Sequence, residues 1–370
     1  MGSTVAGEGE ATYRSIPVDQ SSWALRRRHG GAGPKVVPIL TPVSSTGRPV
    51  ALVTAPFRGE GLELLRSVAD VVEDPWIVDG QPLRLWDDVA LAARIEEVGA
   101  TIVICEADMC VGKVLELPLV AIGSTRGDPT NVDIPGATAK GIPVLHAPGR
   151  NADGVAEMTV ALLMAVTRHV LPADHDVRAR EVFKDGFIPY QRYRAWQVAG
   201  RTAGLVGLGA VGRATKWRLE GLGMTVIAAD PFAPDATHSL DDLLAEADIV
   251  SMHAAVTPDT FGLMNADRFA AMRDGAVYLN SARAGLHDLD ALTAALESGH
   301  LGGAGLDHFE GEQLPRDHPL TAMTNVVLTP HIGGATYDTE ANHSRIIATD
   351  LAALLRGDRP AHCANPEVLS

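Results

Sequence analysis

The run Thr202-Ala203-Gly204-Leu205-Val206-Gly207-Leu208-Gly209-Ala210-Val211-Gly212 restricts the fold of this chain more than any other segment. It reads as a short buried strand, a glycine turn and the first turn of a helix. A second apolar run at 225–229 follows and closes on Asp230, eighteen residues past Gly212. Strand, tight turn, helix and second strand in this order make one βαβ unit. The three glycines serve different ends. Gly207 permits the tight turn, Gly209 lets the backbone come close to a pyrophosphate, and Gly212 lets the helix pack on the strand. The free N–H groups at the helix N-terminus favour an anion there. Asp230 is placed to accept hydrogen bonds from a ribose diol. The spacing therefore points to a bound dinucleotide.

The rest of the chain is consistent with an α/β architecture. From Val50 onward, β-branched runs alternate with amphipathic stretches, the pattern of parallel sheets flanked by helices. In the first half, strands are expected at 51–54, 101–105, 119–123 and 144–146, with helices at 87–98 and 132–140. Asn151 is expected to cap a long helix running to about Arg168, and the aromatic, basic segment 184–196 to form an irregular arm. The second half implies strands at 203–207, 225–229, 249–253, 277–280, 303–306 and 326–328, with helices starting near Ala210, Asp241, Ala266 and Asp288. A last helix over 338–355 begins after that sheet has used its strands, so it is free to pack back on the first. The expected fold is two doubly wound parallel-sheet domains, a Rossmann cofactor domain inserted into a flavodoxin-like substrate domain. Residues 48–151 and 333–370 form the discontinuous substrate domain, 152–332 the cofactor domain, and 1–47 a flexible extension. A chain of 370 residues is long enough for two such cores.

Composition narrows the partners. A net charge of -15 argues against a nucleic acid or an anionic membrane surface. The three cysteines, Cys105, Cys110 and Cys363, form no CxxC pair and no zinc spacing, so they read as ordinary thiols of a cytoplasmic protein, with no metal expected. The longest apolar stretch, 155–166, is interrupted by Glu157 and is too short to span a bilayer, and no charged segment leads into an apolar one near the start.

In an open α/β sheet the reactive crevice lies beyond the carboxyl ends of the strands. Arg283 follows the expected strand 277–280, Asp307, Glu310 and Glu312 follow 303–306, and His331 follows 326–328. An arginine, a carboxylate and a histidine thus project from neighbouring strand ends. Histidine titrates near neutrality and can take or supply the proton of an alcohol as a hydride leaves or arrives. A carboxylate beside it fixes its tautomer, and a guanidinium holds a carboxylate in two-pronged fashion. His308 and His318 read as surface residues.

With these residues assembled, the chain resembles the NAD-dependent D-2-hydroxyacid dehydrogenases, the family that includes phosphoglycerate dehydrogenase. The resemblance rests on 207–212, on Asn280-Ser281-Ala282-Arg283-Ala284-Gly285, on Gly305-Leu306-Asp307-His308-Phe309-Glu310-Gly311-Glu312 and on 329–336. In the first half it includes Asn131-Val132-Asp133, Gly141-Ile142-Pro143-Val144, Pro148-Gly149-Arg150-Asn151-Ala152 and Val155-Ala156-Glu157, and at the end Asn365-Pro366-Glu367-Val368-Leu369. It covers about residues 50–370. It implies that Arg283 binds the substrate carboxylate and keto oxygen, that His331 is the acid/base and that Glu312 is its partner. It further implies that Ala210, Val211, Asp230, Ser281, Ala282, Arg283, Asp307, Gly333 and Gly334 line the cofactor. The loop 124–128, with Thr125, Arg126 and Gly127, would receive the substrate, and the protein would be a homodimer built through the long helix and arm after Asn151. This chain has Arg283-Ala284-Gly285 where many members have Arg-Gly-Gly, and Ser124-Thr125-Arg126-Gly127-Asp128-Pro129 where a Gly-x-Gly run is usual, which leaves the substrate open.

Asp230 is followed by Pro231 and Phe232, with no adjacent arginine for a 2′-phosphate, which selects NAD over NADP. Arg126 and Arg150, in loops on the crevice side of the first domain, and Lys184, Arg192 and Arg194, in the arm, are candidates for a second substrate anion, and each has the alternative of pairing with an acidic neighbour. The expected activity is reversible, NADH-dependent reduction of a 2-oxoacid to a D-2-hydroxyacid. The related formate dehydrogenases place glutamine where Glu312 stands. Phosphite oxidation uses a similar residue set, and corepressor-like NAD-sensing scaffolds keep the same three residues, so both stand as alternatives.

Overall fold

The computed structural model describes residues 47–370, so the expectation for 1–46 lies outside the described residues. The apolar runs of the first half pair into one parallel sheet of β1 (Val50–Val53), β2 (Asp70–Glu73), β3 (Ile102–Cys105), β4 (Ala121–Ser124) and β5 (Val144–Leu145). Its order is β2-β1-β3-β4-β5, the flavodoxin-like winding, which reverses between β1 and β3. All four residues of β3 are fully buried because both faces of the sheet are covered. Ile102 and Ile104 point to the layer of α1 (Gly59–Val68), and Val103 and Cys105 to that of α2 (Asp88–Val98) and α3 (Ile134–Ala139).

Two elements here were illegible in sequence. β2 is an edge strand with a charge at each end, and α1 opens on Gly59-Glu60-Gly61, a poor helical start. Cys105 and Cys110 are not separate thiols either. Their buried sulfurs lie 3.3 Å apart, and the contact with Cys105 together with burial pushes the Cys110 thiol well above the ordinary range.

After β5 come α4 (Ala152–Thr167), α5 (Val170–Ala179) and the four-residue α6 (Pro189–Arg192), so the arm expected to be irregular contains one helical turn and is preceded by a helix. Asn151 occupies the N-cap position of α4, but its side chain makes no capping bond; its amide faces Gly334 instead. Side-chain caps are made elsewhere, by Asp87, Asp133, Ser239, Asn265, Asp288 and Thr336.

The second sheet comprises β6 (Thr202–Val206), β7 (Thr225–Ala229), β8 (Ile249–Met252), β9 (Ala276–Asn280), β10 (Leu301–Leu306) and β11 (Val326–Leu328). All pairs are parallel, in the order β11-β10-β9-β8-β6-β7, with the winding reversal between β6 and β8. α4 and α7 (Ala210–Gly221) cover one face with Leu162, Leu163 and Leu219. α8 (Leu240–Glu246), α9 (Ala266–Ala271) and α10 (Leu289–Glu297) cover the other with Leu243, Phe269 and Leu292.

The last helix, α11 (Tyr337–Leu355), returns to the first sheet, where Ile347, Ala348 and Leu351 are buried with Val53, Ile102 and Ile104. α1 crosses it so closely that a Cβ at Gly61 would overlap the backbone of Ser344 and Arg345. The six-stranded sheet is thereby inserted between β5 and α11. Among the described residues no single helix is long and apolar enough to cross a membrane.

Candidate active site

β6 ends in Gly207, whose φ of +100° is open only to glycine, and a Cβ there would sit 2.7 Å from the Ala254 nitrogen. At Gly212 a Cβ would overlap the Gly207 carbonyl oxygen, so the start of α7 presses directly on the turn. At Gly209 a Cβ would meet nothing within 4 Å, so the turn faces open space there. Asp230, just past β7, accepts from Leu208 N at 2.7 Å and Phe232 N at 2.8 Å, which ties the turn to the neighbouring strand. The sequence shows no arginine next to Asp230, yet α7 brings Arg213 within electrostatic reach of it. That guanidinium is held by both oxygens of Asp235, at 2.5 and 2.8 Å.

Beyond the carboxyl ends of β9, β10 and β11, the residues Arg283, Glu312 and His331 line one cleft of about 790 Å³. Val211, Ser281 and Ala282 line it too, with Asp128 and Asn151 contributed from the first half of the chain. His331 Nδ1 lies 2.8 Å from Glu312 Oε1. A carboxylate only accepts, so Nδ1 carries the proton of the neutral ring and Nε2 is left with the lone pair. Both residues have left-handed backbone, φ +56° and +63°, a conformation that costs non-glycine residues about 1 kcal/mol or more and often marks functional sites.

Asp307, expected to line the cofactor, is held by three hydrogen bonds. It is buried, and its oxygens accept from Thr329 Oγ1 (2.6 Å), Ile332 N (3.0 Å) and Gly333 N (2.7 Å). With its acceptor sites facing those donors, it braces the segment that carries His331. Asn280 does the same for Arg283: its Oδ1 accepts from Ala282 N and Arg283 N, and its Nδ2 donates to the Arg283 carbonyl at 2.8 Å. Arg283 itself donates to the Ala282 carbonyl at 2.6 Å and, among the described residues, pairs with no carboxylate. Of the remaining expected cofactor residues, Ser281 is buried and hydrogen-bonded to Thr159 (2.7 Å), Ala210 is exposed near Gly149, Gly333 is buried, and Gly334 lies against Asn151.

Three cleft histidines escaped the sequence reading: His308, His253 and His287, the last buried and hydrogen-bonded to Asn280 Nδ2 at 2.9 Å. His308 is not a surface residue: it is 5% exposed, and its ring lies against that of His331, tilted by 51° with centroids 3.7 Å apart. Burial, with His331 and Arg283 beside it, pushes it down to about 3, so the ring is neutral. His253 ends the β8 segment directly beneath Gly207, donating to or accepting from Ser251 Oγ at 2.9 Å, and burial pushes it down to about 4. Its position at the crevice end of an expected strand was the available signal. His318 is half-buried and accepts from Leu320 N, a local cap.

In the expected substrate loop, Thr125 is buried with its hydroxyl unpartnered among the described residues, and Gly127 is exposed. Arg126 donates through Nε to the Glu106 carbonyl (2.6 Å) and through Nη1 to Thr130 (3.0 Å). The other candidate cations are otherwise engaged. Arg150 pairs with the Glu106 carboxylate at 2.5 Å, Lys184 with Glu181 at 2.8 Å, Arg192 with Asp176, and Arg194 lies over the Tyr190 ring.

This geometry agrees with what the chain is similar to. Residues 160–333 match the family described as D-isomer specific 2-hydroxyacid dehydrogenase, NAD binding domain. A glyoxylate reductase from Thermofilum pendens is 36% identical over 339 residues, covering 87% of this chain and 96% of that protein. The chain belongs to the D-isomer specific 2-hydroxyacid dehydrogenase family. A D-3-phosphoglycerate dehydrogenase from Mycobacterium leprae is 34% identical over 301 residues, 79% of this dehydrogenase but 54% of the relative, so the chain spans about half of that longer protein. The crystal structure of a Thermus thermophilus protein superposes with a TM-score of 0.71 at 35% identity, covering 85% of this chain and 99% of that one.

The dehydrogenase is an oxidoreductase whose cofactor is NAD. The residues present fit that group: the turn is open at Gly209, Asp230 stands just past β7, and Arg213 nearby is occupied by Asp235. When bound, NAD supplies or accepts the hydride.

Proposed function

We propose that this dehydrogenase reversibly reduces a 2-oxoacid to a D-2-hydroxyacid in the cleft that holds Arg283, Glu312 and His331. The observation that carries this reading is the His331–Glu312 pair at 2.8 Å, in one cleft with a guanidinium that has no carboxylate partner among the described residues. The Arg283 fork binds the substrate carboxylate and polarises the keto oxygen. His331 delivers a proton from Nε2 to that oxygen as the hydride arrives at C2, and takes it back in the oxidative direction. Glu312 holds the tautomer by accepting from Nδ1.

The substrate carries a second anion, a phosphate, phosphonate or carboxylate. Arg126 supports this: it is within electrostatic reach of Arg283 and Arg150, and unlike Arg150 it pairs with no carboxylate among the described residues. Glyoxylate reductases and phosphoglycerate dehydrogenases both stand among the relatives, and Arg126 favours the larger, doubly charged class.

The working unit is a homodimer built through α4 and the arm behind it. Phe183, Tyr190 and Trp196, each about three-quarters exposed, support this, since one segment rarely leaves such rings in water. Light scattering is expected to report twice the chain mass; a monomer at micromolar concentration removes this part of the proposal.

The decisive experiment is NADH turnover against a panel of 2-oxoacids, repeated with His331→Ala. We expect at least one substrate to turn over and the variant to lose about 10²- to 10⁴-fold in kcat while still binding NADH. If no oxoacid turns over, the reading fails, and NAD reduction by phosphite, or NAD binding without turnover, decides between its two alternatives.

A further inference from the structure

The cleft holds more imidazoles than hydride transfer uses, and one of them lies directly against His331. His308 is buried, its ring lies tilted against that of His331, and the ligating atoms of His308, Glu312 and His331 all lie within 4.8 Å of one another. Two histidines and a glutamate with a position left open are a donor set of zinc sites. Imidazole nitrogen suits zinc, copper and nickel alike. The two rings are held by packing and by the segment that Asp307 braces, whereas the Glu312 side chain is 62% exposed and free to swing onto an ion. Around the cleft, the carboxylates of Asp128, Glu310 and Glu312 outnumber the guanidinium of Arg283, so a dication is not repelled.

We propose that His308, Glu312 and His331 form an inhibitory binding site for a zinc-type divalent cation inside the dehydrogenase cleft. The ion takes the Nδ1 lone pair of His331 on the side that faces Glu312. The single ring proton then resides on Nε2, the atom left to work on substrate. A ring so loaded has no lone pair to accept the alcohol proton, and it is a far weaker acid than an imidazolium. Both directions of turnover stop while the ion is bound, and a chelator releases them. Binding is independent of the proposed reaction; the inhibition rests on His331 being its acid/base.

The full chain, freed of metal with chelator, is titrated with Co²⁺ alone and followed by visible absorption, and separately assayed with Zn²⁺ alone. The variants are His308→Phe, which keeps a packed ring without a ligand atom, and His308→Val. Other histidines bind cobalt loosely, so the difference from the variants is what is read. We expect one equivalent of Co²⁺ to give a nitrogen–oxygen spectrum that both variants lose. We also expect the Zn²⁺ concentration for half-inhibition, each protein measured against its own metal-free rate, to rise about 10-fold or more in the variants. A cobalt spectrum that is absent, or unchanged by either substitution, overturns the site. Cobalt binding that depends on His308 with turnover untouched by zinc overturns the inhibition and His331's role with it. A protein that turns over no oxoacid fails the functional reading alone, since the cobalt titration still decides the site.

Discussion

Arg126 and Arg150 occupy neighbouring loops, and only their partners separate them. Glu106 forms its close ion pair with Arg150, whereas Arg126 holds the Glu106 backbone carbonyl and feels the carboxylate only through space. Arg126→Ala is therefore expected to raise KM for a phosphate-bearing 2-oxoacid about 10-fold or more, the worth of one charge-assisted hydrogen bond, and to leave KM for glyoxylate unchanged. Steady-state kinetics on the two substrates checks this; equal effects on both remove the second anion from the proposal. At this scale the legible residues were those whose chemistry depends on where a strand ends: Gly207, Asp230, Arg283 and His331, with Glu312 set apart from Glu310 only by the family resemblance. What could not be read was the direction of side chains just past those ends. Asp307 and His308 are adjacent and both buried, the first bracing the His331 segment and the second packed against its ring. Alternation along a strand stops predicting direction once the strand is over.

Among the elements, α1 and α11 meet across nearly the whole length of the chain, and Gly61 is what lets them approach. A Cβ at Gly61 would overlap the backbone of Ser344, which no side-chain rotation relieves. Gly61→Ala gains helix propensity but is expected to lose about 1–3 kcal/mol to overpacking, a net fall in stability. Equilibrium denaturation with the wild type alongside measures it, and an unchanged midpoint contradicts the close crossing. The same contact explains why α1 was not foreseen. Gly59-Glu60-Gly61 is weak helical sequence, stabilised by a partner helix that begins only at Tyr337. β2 was missed for a related reason: Asp70 and Glu73 mark an edge strand, and β1 supplies the pairing that local pattern lacks. The strands of the second sheet, apolar and covered on both faces, were legible at nearly their observed bounds.

For the whole molecule, three buried histidines and a half-buried fourth make stability depend on pH. Burial pushes His253, His287 and His343 down to about 4, and His308 to about 3. In the unfolded chain each titrates near the ordinary value of about 6.5. Between about pH 4 and 6.5 the unfolded chain therefore binds more protons than the folded one, so stability rises with pH through this window and is lost on acidification. His343 shows the mechanism. Its Nε2–H donates to the Pro56 carbonyl at 2.6 Å, and its Nδ1 accepts from Arg150 at 2.7 Å, so a proton on Nδ1 breaks the link between α11 and the first-sheet loops. The melting temperature is expected to fall from pH 7 to pH 5, and that of His343→Gln to fall less over the same interval. Parallel melts of the two proteins check this; identical slopes remove His343 from the account.

The sequence by itself determined what depends on short stretches of chain: the glycine turn, the acid closing the second strand, two series of buried strands and the residues that follow them. Those features are legible because their physics is local, a φ that only glycine adopts or an apolar run that water will not hold. Tertiary structure alone decided which face each of those residues meets. It brought Gly61 of α1 against the backbone of α11 and turned His308 inward onto His331. It gave Glu106 to Arg150 rather than Arg126, and set the oxygens of Asp307 to bracing a loop. Each of these outcomes is a choice between partners far apart in the chain, settled by packing and by the cost of burying a polar group alone.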